Sequence, residues 1–168
     1  MGRFRYFLSL IFCLLLLGCS SLRLSNGFAE LESRFGGRLG VSALNTATGE
    51  RINYRADERF PMCSTFKAIL VAAVLHRSGT SDLFLEKNLP VTRKSVADAG
   101  YSPITAKRAG GAMSIGELCA ATLQYSDNTA ANLLMKELGG PGAVTEFARL
   151  LGDETFRLDR WEPELNSA

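Results

Sequence analysis

The sequence predicts an α/β chain: a short helix and one strand hairpin, followed by an all-helical region. Three observations carry this. Apolar residues alternate with smaller or polar ones over residues 39–44, and again around Ile52 and Tyr54, on either side of Thr46-Ala47-Thr48-Gly49. That is the period of a hairpin with one face to bury. Residues 68–75 are apolar without a break, which predicts a helix buried nearly all round. Farther on, segments of helical period lie between start and stop residues, among them Ser114-Ile115-Gly116-Glu117 and Gly139-Gly140-Pro141.

Residues 1–19 read as an export signal. Arg3 and Arg5 precede an apolar run from Phe7 to Leu17, short for a membrane span and suited to a signal peptide. The run ends Leu17-Gly18-Cys19-Ser20. A small residue before a cysteine resembles a bacterial lipoprotein signal, in which Cys19 is lipidated. The other reading is an ordinary signal cut between Cys19 and Gly27. Both export the chain, to the periplasm or to the outer membrane by a lipid anchor.

Residues 28–58 follow as the first part of the α/β domain. A helix over 28–35 stops at Gly36-Gly37, and the hairpin comes next. One helix and one hairpin cannot hold a core alone. Residues 59–168 form the all-helical domain and the start of a loop. The apolar helix opens at Ser64, and residues 77–111 are polar and turn-rich. A capping box at Ser114 and Glu117 starts the next helix. Ser126-Asp127-Asn128 separates it from a helix ending near Leu138. A last helix covers about 143–151, and 153–168 reads as loop.

The 168 residues suffice for one domain with an appreciable core. Without Arg3 and Arg5 the 19 basic residues equal the 17 acidic ones, and no basic tract points to nucleic acid. A single histidine, His76, argues against a His-built zinc site, which needs several ligands. It reads as a helix-end residue; no metal and no cofactor are expected. Export places Cys63 and Cys119 in an oxidising compartment. They can pair, but two buried thiols acting as small apolar residues are the preferred reading.

The chemistry-bearing residues fall at three places. Ser64 and Lys67 stand three residues apart at the start of the apolar helix, on one face. A neutral lysine there can take the hydroxyl proton and make Ser64 a nucleophile. The N–H groups of that first turn can support an oxyanion. A serine at a helix start is also an ordinary cap. Ser126 can relay a proton to a leaving group, Asn128 can bond a substrate amide, and Asp127 can cap the next helix. In Arg160-Trp161-Glu162-Pro163-Glu164-Leu165-Asn166, Glu162 and Asn166 can hold a water between them, with Glu162 as its general base.

Together these residues resemble the class A serine β-lactamases, of which Ser-x-x-Lys and Ser-Asp-Asn are described signatures. The resemblance runs from about Phe28 to the end. It includes Arg59-Phe60-Pro61, Tyr101-Ser102-Pro103 and Glu117-Leu118-Cys119-Ala120. It implies the α+β sandwich of the serine β-lactamase and penicillin-binding type, and a monomer acting on small-molecule β-lactams. By that resemblance Ser64 would attack the ring carbonyl and Lys67 would shuttle protons. Ser126 would protonate the departing nitrogen, and Glu162 with Asn166 would activate the deacylating water. Asn128 would hold the substrate side-chain amide, Tyr101 would line the cleft, and the Glu162–Pro163 bond is a candidate cis peptide. Cys63 adjoins the nucleophile as in members that hydrolyse carbapenems.

The sequence also departs from the family. No Lys-Thr-Gly or Lys-Ser-Gly triplet occurs, and the sequence stops within the loop carrying Glu162. The expectation is the front part of a longer enzyme, neither stably folded nor active by itself. The alternative function is a penicillin-binding protein or β-lactam sensor acylated without turnover; Glu162 with Asn166 argues for release.

Overall fold

Two compact units follow one another along the chain, Met1–Phe60 and Pro61–Ala168. The computed structural model describes residues 27–79, 81 and 83–166. The expected signal segment, with Cys19, lies outside the described residues.

In the first unit residues 27–35 form α1, and Gly36 and Gly37 end it at φ +73° and +83°, angles that favour glycine. Strands β1 (Val41–Leu44) and β2 (Arg51–Tyr54) pair antiparallel, Val41 opposite Tyr54 and Leu44 opposite Arg51. Asn45 Oδ1 accepts the N–H groups of Ala47 and Thr48 and so shapes the turn. Glu32 of α1 ties these parts together. It accepts from Leu39 N–H at 2.7 Å, the Tyr54 hydroxyl at 2.9 Å, and Arg55 through Nε at 2.9 Å and Nη2 at 3.0 Å.

The second unit is built around α2 (Phe66–Ser78), entered through a short 3-10 turn, Cys63–Thr65. Phe66, Leu70 and Val74 of α2 are fully buried against α4 (Ile115–Tyr125), α5 (Asn128–Leu138) and α6 (Pro141–Leu150). Ile115, Leu118, Leu134, Met135 and Val144 complete that core. The expectation of burial all round is corrected here. Leu75 is 50% exposed and Ala68 is exposed, because α4, α5 and α6 leave one face of α2 open among the described residues.

The domain is mainly, not wholly, helical. The stretch expected as turns holds β3 (Asn88–Val91), α3 (Arg93–Ala99) and a 3-10 turn, Thr105–Arg108. β3 pairs antiparallel with β4 (Gly111–Ser114) and buries Leu89, Val91 and Met113. The predicted capping box is present: Ser114 Oγ accepts Glu117 N–H, and Glu117 accepts Ser114 N–H. That N–H, and Arg108 beside it, hold the Glu117 carboxyl below its usual range. Pro141 does not only stop α5; it is the first residue of α6, where a missing N–H costs nothing.

The segment after α6 is irregular but anchored. Asp153 Oδ1 accepts the N–H groups of Thr155 and Phe156. Phe156 and Leu158 are buried in the core, and Thr145 Oγ1 accepts Leu158 N–H at 2.9 Å. These contacts carry the chain back over α5 to Glu162.

Candidate active site

The sequence around Ser64 shapes the local backbone before it shapes chemistry. Cys63 sits at φ +46°, a strained left-handed conformation for a residue with a side chain. It directs the chain into the 3-10 turn that carries Ser64. Cys63 is exposed, against the expectation of a buried thiol, because this turn lies outside the core packing; Cys119 is buried as expected. Burial pushes the Cys119 thiol up to about 11. Thr65 N–H donates to Met62 O at 3.1 Å, and Phe66 N–H donates to Cys63 O and Ser64 O. Neither of those two amides is free for an oxyanion.

Lys67 is one turn on, buried, and reaches back past Ser64. Its Nζ lies 3.4 Å from Ser64 Oγ, 3.1 Å from Ser126 Oγ, 2.7 Å from Ser126 O, 2.6 Å from Asn128 Oδ1 and 3.1 Å from Glu162 Oε1. Ser64, Lys67, Ser126, Asn128 and Glu162 thus meet at one amine. The chain brings them from four places, the first being the turn and opening residues of α2, which carry Ser64 and Lys67. Ser126 ends α4 at φ +55°, and Asn128 begins α5. Glu162 comes from the anchored segment, where the Glu162–Pro163 bond is cis.

Proton counting shows how the amine is used. An ammonium has three N–H groups and no lone pair. Ser126 O and Asn128 Oδ1 can only accept and take two of them at 2.7 and 2.6 Å; the third is shared among Ser126 Oγ at 3.1 Å, Ser64 Oγ at 3.4 Å and the Glu162 carboxylate, which faces the amine at 3.1 Å as an ion pair. Ser64 Oγ, at the longest distance, then has no base facing it. Lys67 can become one by passing a proton to the carboxylate beside it, Glu162. The motif alone suggests a neutral lysine waiting on Ser64; the geometry adds this prior transfer.

Two supports were not visible in the motifs. Asp127 is fully buried. It caps α5 through Ala130 N–H at 2.9 Å, as expected, and also accepts Ile104 N–H, Thr105 N–H and the Thr105 hydroxyl at 2.9, 2.9 and 2.8 Å. Asn132, one turn after Asn128, clamps the backbone of Glu162. Its Nδ2 donates to Glu162 O at 2.9 Å, and its Oδ1 accepts Glu162 N–H at 3.0 Å. An Asn at i+4 from Asn128 on a helix face was the available signal.

Asn128 has a second role to offer, and three further candidates complete the set. The Asn128 Nδ2 donates to Ala99 O at 3.1 Å, which leaves one N–H of that amide for a ligand. Tyr101 is 64% exposed, and its carbonyl accepts Asn128 N–H at 2.9 Å. Asn166 ends the 3-10 turn Glu164–Asn166; its side chain lies outside the described residues. His76, in the last turn of α2, is exposed, and its ring lies tilted against Phe147 at 5.4 Å between centroids. Among the described residues no three His, Cys, Asp or Glu side chains cluster to hold a metal ion.

Comparison with known proteins gives the family of the chain. Residues 23–168 match the model of the Beta-lactamase enzyme family. Beta-lactamase Toho-2 of Escherichia coli is 56% identical over 140 residues, 83% of this chain and 48% of that protein. Carbapenem-hydrolyzing beta-lactamase KPC of Klebsiella oxytoca is 52% identical over 157 residues, 91% of this chain and 53% of that protein. The solved structure of an ancestral (GNCA) class A beta-lactamase superposes with a TM-score of 0.79 at 58% identity, covering 86% of this chain and 55% of that one. The chain spans about half the length of the curated relatives it matches. By its residues, its fold and these matches, the chain belongs to the beta-lactamase enzyme family, among the class A serine enzymes.

Proposed function

We propose that the protein hydrolyses the β-lactam ring of penicillin- and cephalosporin-type antibiotics through an acyl-enzyme on Ser64, and so confers resistance to them. One observation carries the reading: a buried amine within 3.4 Å of two serine hydroxyls and a carboxylate. Lys67 passes a proton to Glu162 and then takes that of Ser64 as Ser64 Oγ attacks the ring carbonyl. The ring C–N bond breaks as Ser126 gives its proton to the nitrogen; Lys67 returns a proton to Ser126. Glu162 gives its proton back to Lys67, then takes one from water as the water oxygen attacks the ester; the ester C–O bond breaks, Ser64 Oγ leaves with a proton from Lys67, and Lys67 is recharged by the proton Glu162 took from water. Asn128 orients the substrate with its remaining N–H, and Tyr101 borders the entrance.

A penicillin-binding protein or sensor would stop at the ester. The buried Glu162 beside Lys67, held by Asn132, favours release. The leader with Arg3, Arg5 and residues 7–17 supports export, to the periplasm or to the outer membrane through a lipid on Cys19. There the protein works as a monomer on a small molecule.

The test uses the protein as its gene encodes it. A fluorescent penicillin should label it transiently, nitrocefin should turn over, and Ser64→Ala should abolish both. Glu162→Gln should keep the label and convert it to a lasting adduct, read as a mass increase. Labelling that survives Ser64→Ala, or unimpaired turnover in Glu162→Gln, would overturn the reading.

A further inference from the structure

Behind Asn128 lies a buried hydroxyl array with no part in the chemistry above. Ser102 Oγ is 2.8 Å from Thr129 Oγ1. Thr129 N–H donates to Ser102 Oγ at 3.4 Å, and Thr129 Oγ1 donates to Ser95 O at 3.2 Å. Both side chains are buried. Each hydroxyl has one proton. Thr129 gives its proton to a carbonyl that can only accept, so the 2.8 Å bond must run from Ser102 to Thr129. The array therefore has one direction: Thr129 N–H to Ser102, Ser102 to Thr129 Oγ1, and Thr129 to the Ser95 carbonyl of α3.

Its place in the chain joins it to the site. Ser102 follows Tyr101, and Thr129 follows Asn128. Asp127 fastens the far end of the same loop at Ile104 and Thr105, while Asn128 fastens the near end at Ala99 O and Tyr101 O. The middle is fastened by the Ser102 side chain. Tyr101 has an exposed ring, so its position depends on how its backbone is held.

We propose that Ser102 is a positioning residue: its hydroxyl, keyed on Thr129, sets loop 99–105 against the start of α5 and so places the Tyr101 ring and the free N–H of Asn128 for substrate. The proposal rests on the β-lactam reading above. Neither hydroxyl touches Ser64 or Lys67 in any recorded bond. Loss of the array therefore acts on substrate binding before it acts on the proton transfers.

The test compares Ser102→Ala, Ser102→Thr, Thr129→Val and the Ser102→Ala/Thr129→Val pair in the protein as its gene encodes it. Steady-state nitrocefin hydrolysis is measured, with active sites counted by the fluorescent penicillin. Ser102→Ala should raise KM about fivefold, the weight of one net hydrogen bond. Turnover per labelled site should stay within about twofold. Ser102→Thr should restore most of the loss, and the double variant should be no worse than the worse single. If Ser102→Ala does not fold, Ser102→Cys keeps the volume, weakens the donor and should move KM the same way. A purely structural role would lower the number of labelled sites and leave KM unchanged. That result, or additive losses in the double variant, overturns the proposal while a labelled parent leaves the β-lactam reading standing. A parent that takes no label at Ser64 overturns both.

Discussion

Asp127 touches none of the reacting atoms, yet its two oxygens accept four bonds in a fully buried position. Oδ2 faces the Ile104 and Thr105 amides; Oδ1 faces Ala130 N–H and the Thr105 hydroxyl. Asp127→Asn turns one oxygen into an NH2 group that faces donors. A buried donor left unpaired costs about 1–3 kcal/mol, more where the bond was to a charge. The expected loss in urea unfolding is about 2–4 kcal/mol, and an unchanged midpoint would contradict it. One of these bonds, the cap on Ala130, was legible in Ser126-Asp127-Asn128. The other three were not, because Ile104 and Thr105 lie 23 and 22 residues away and nothing local in their sequence marks a partner. Asn132 was hidden for a similar reason: a lone Asn inside a helix has many uses, and only the fold shows that it grips Glu162.

Elements differ in how openly they are written. The hairpin β1–β2 and the capping box of α4 were readable because their signals are local: alternation, turn residues, and a Ser three before a Glu. The β3–β4 pair was not. Pro90 removes a ladder N–H from a strand of four residues, and its partner follows only after α3 and a 3-10 turn. The junction of α1 with the hairpin was equally silent, since nothing in the sequence pairs Glu32 with Arg55. In the fold, Arg55 and the Leu39 amide hold the Glu32 carboxyl at about 2, below the ordinary 4.5. A depressed carboxyl adds stability above its ordinary value and loses it as pH falls through the folded value. The link should therefore be intact at pH 6 and weaken from about pH 4.5 toward about 2. The protection of Leu39 and of the hairpin, measured as amide exchange against the intrinsic rate at each pH, should fall over that window. Glu32→Gln should show the faster exchange already at pH 6 and remove this part of the pH dependence.

Over the whole molecule the sequence disclosed the chemistry better than its setting. Ser64, Lys67, Ser126, Asn128 and Glu162 were found from motif spacing, and they converge. The buried ion pair at their centre was not readable, because burial is a property of the packed unit and not of spacing. Lys67 and Glu162 pair at 3.1 Å with side-chain exposures of 3% and 0%. Desolvating two charges offsets much of their attraction, so such a pair is weak support for a fold, while a single charge left behind is strongly destabilising. A pair of this kind is better accounted for by the proposed proton transfers than by stability. Lys67→Met and Glu162→Gln should each lower unfolding stability by about 3 kcal/mol or more. The double variant should regain most of that loss, because neither charge is then stranded, and should remain inactive. Urea unfolding of the four proteins, as the gene encodes them, measures the coupling directly. A double variant whose loss equals the sum of the singles would mean that the two charges do not depend on each other, and the proton route from Ser64 through Lys67 to Glu162 would lose its physical basis.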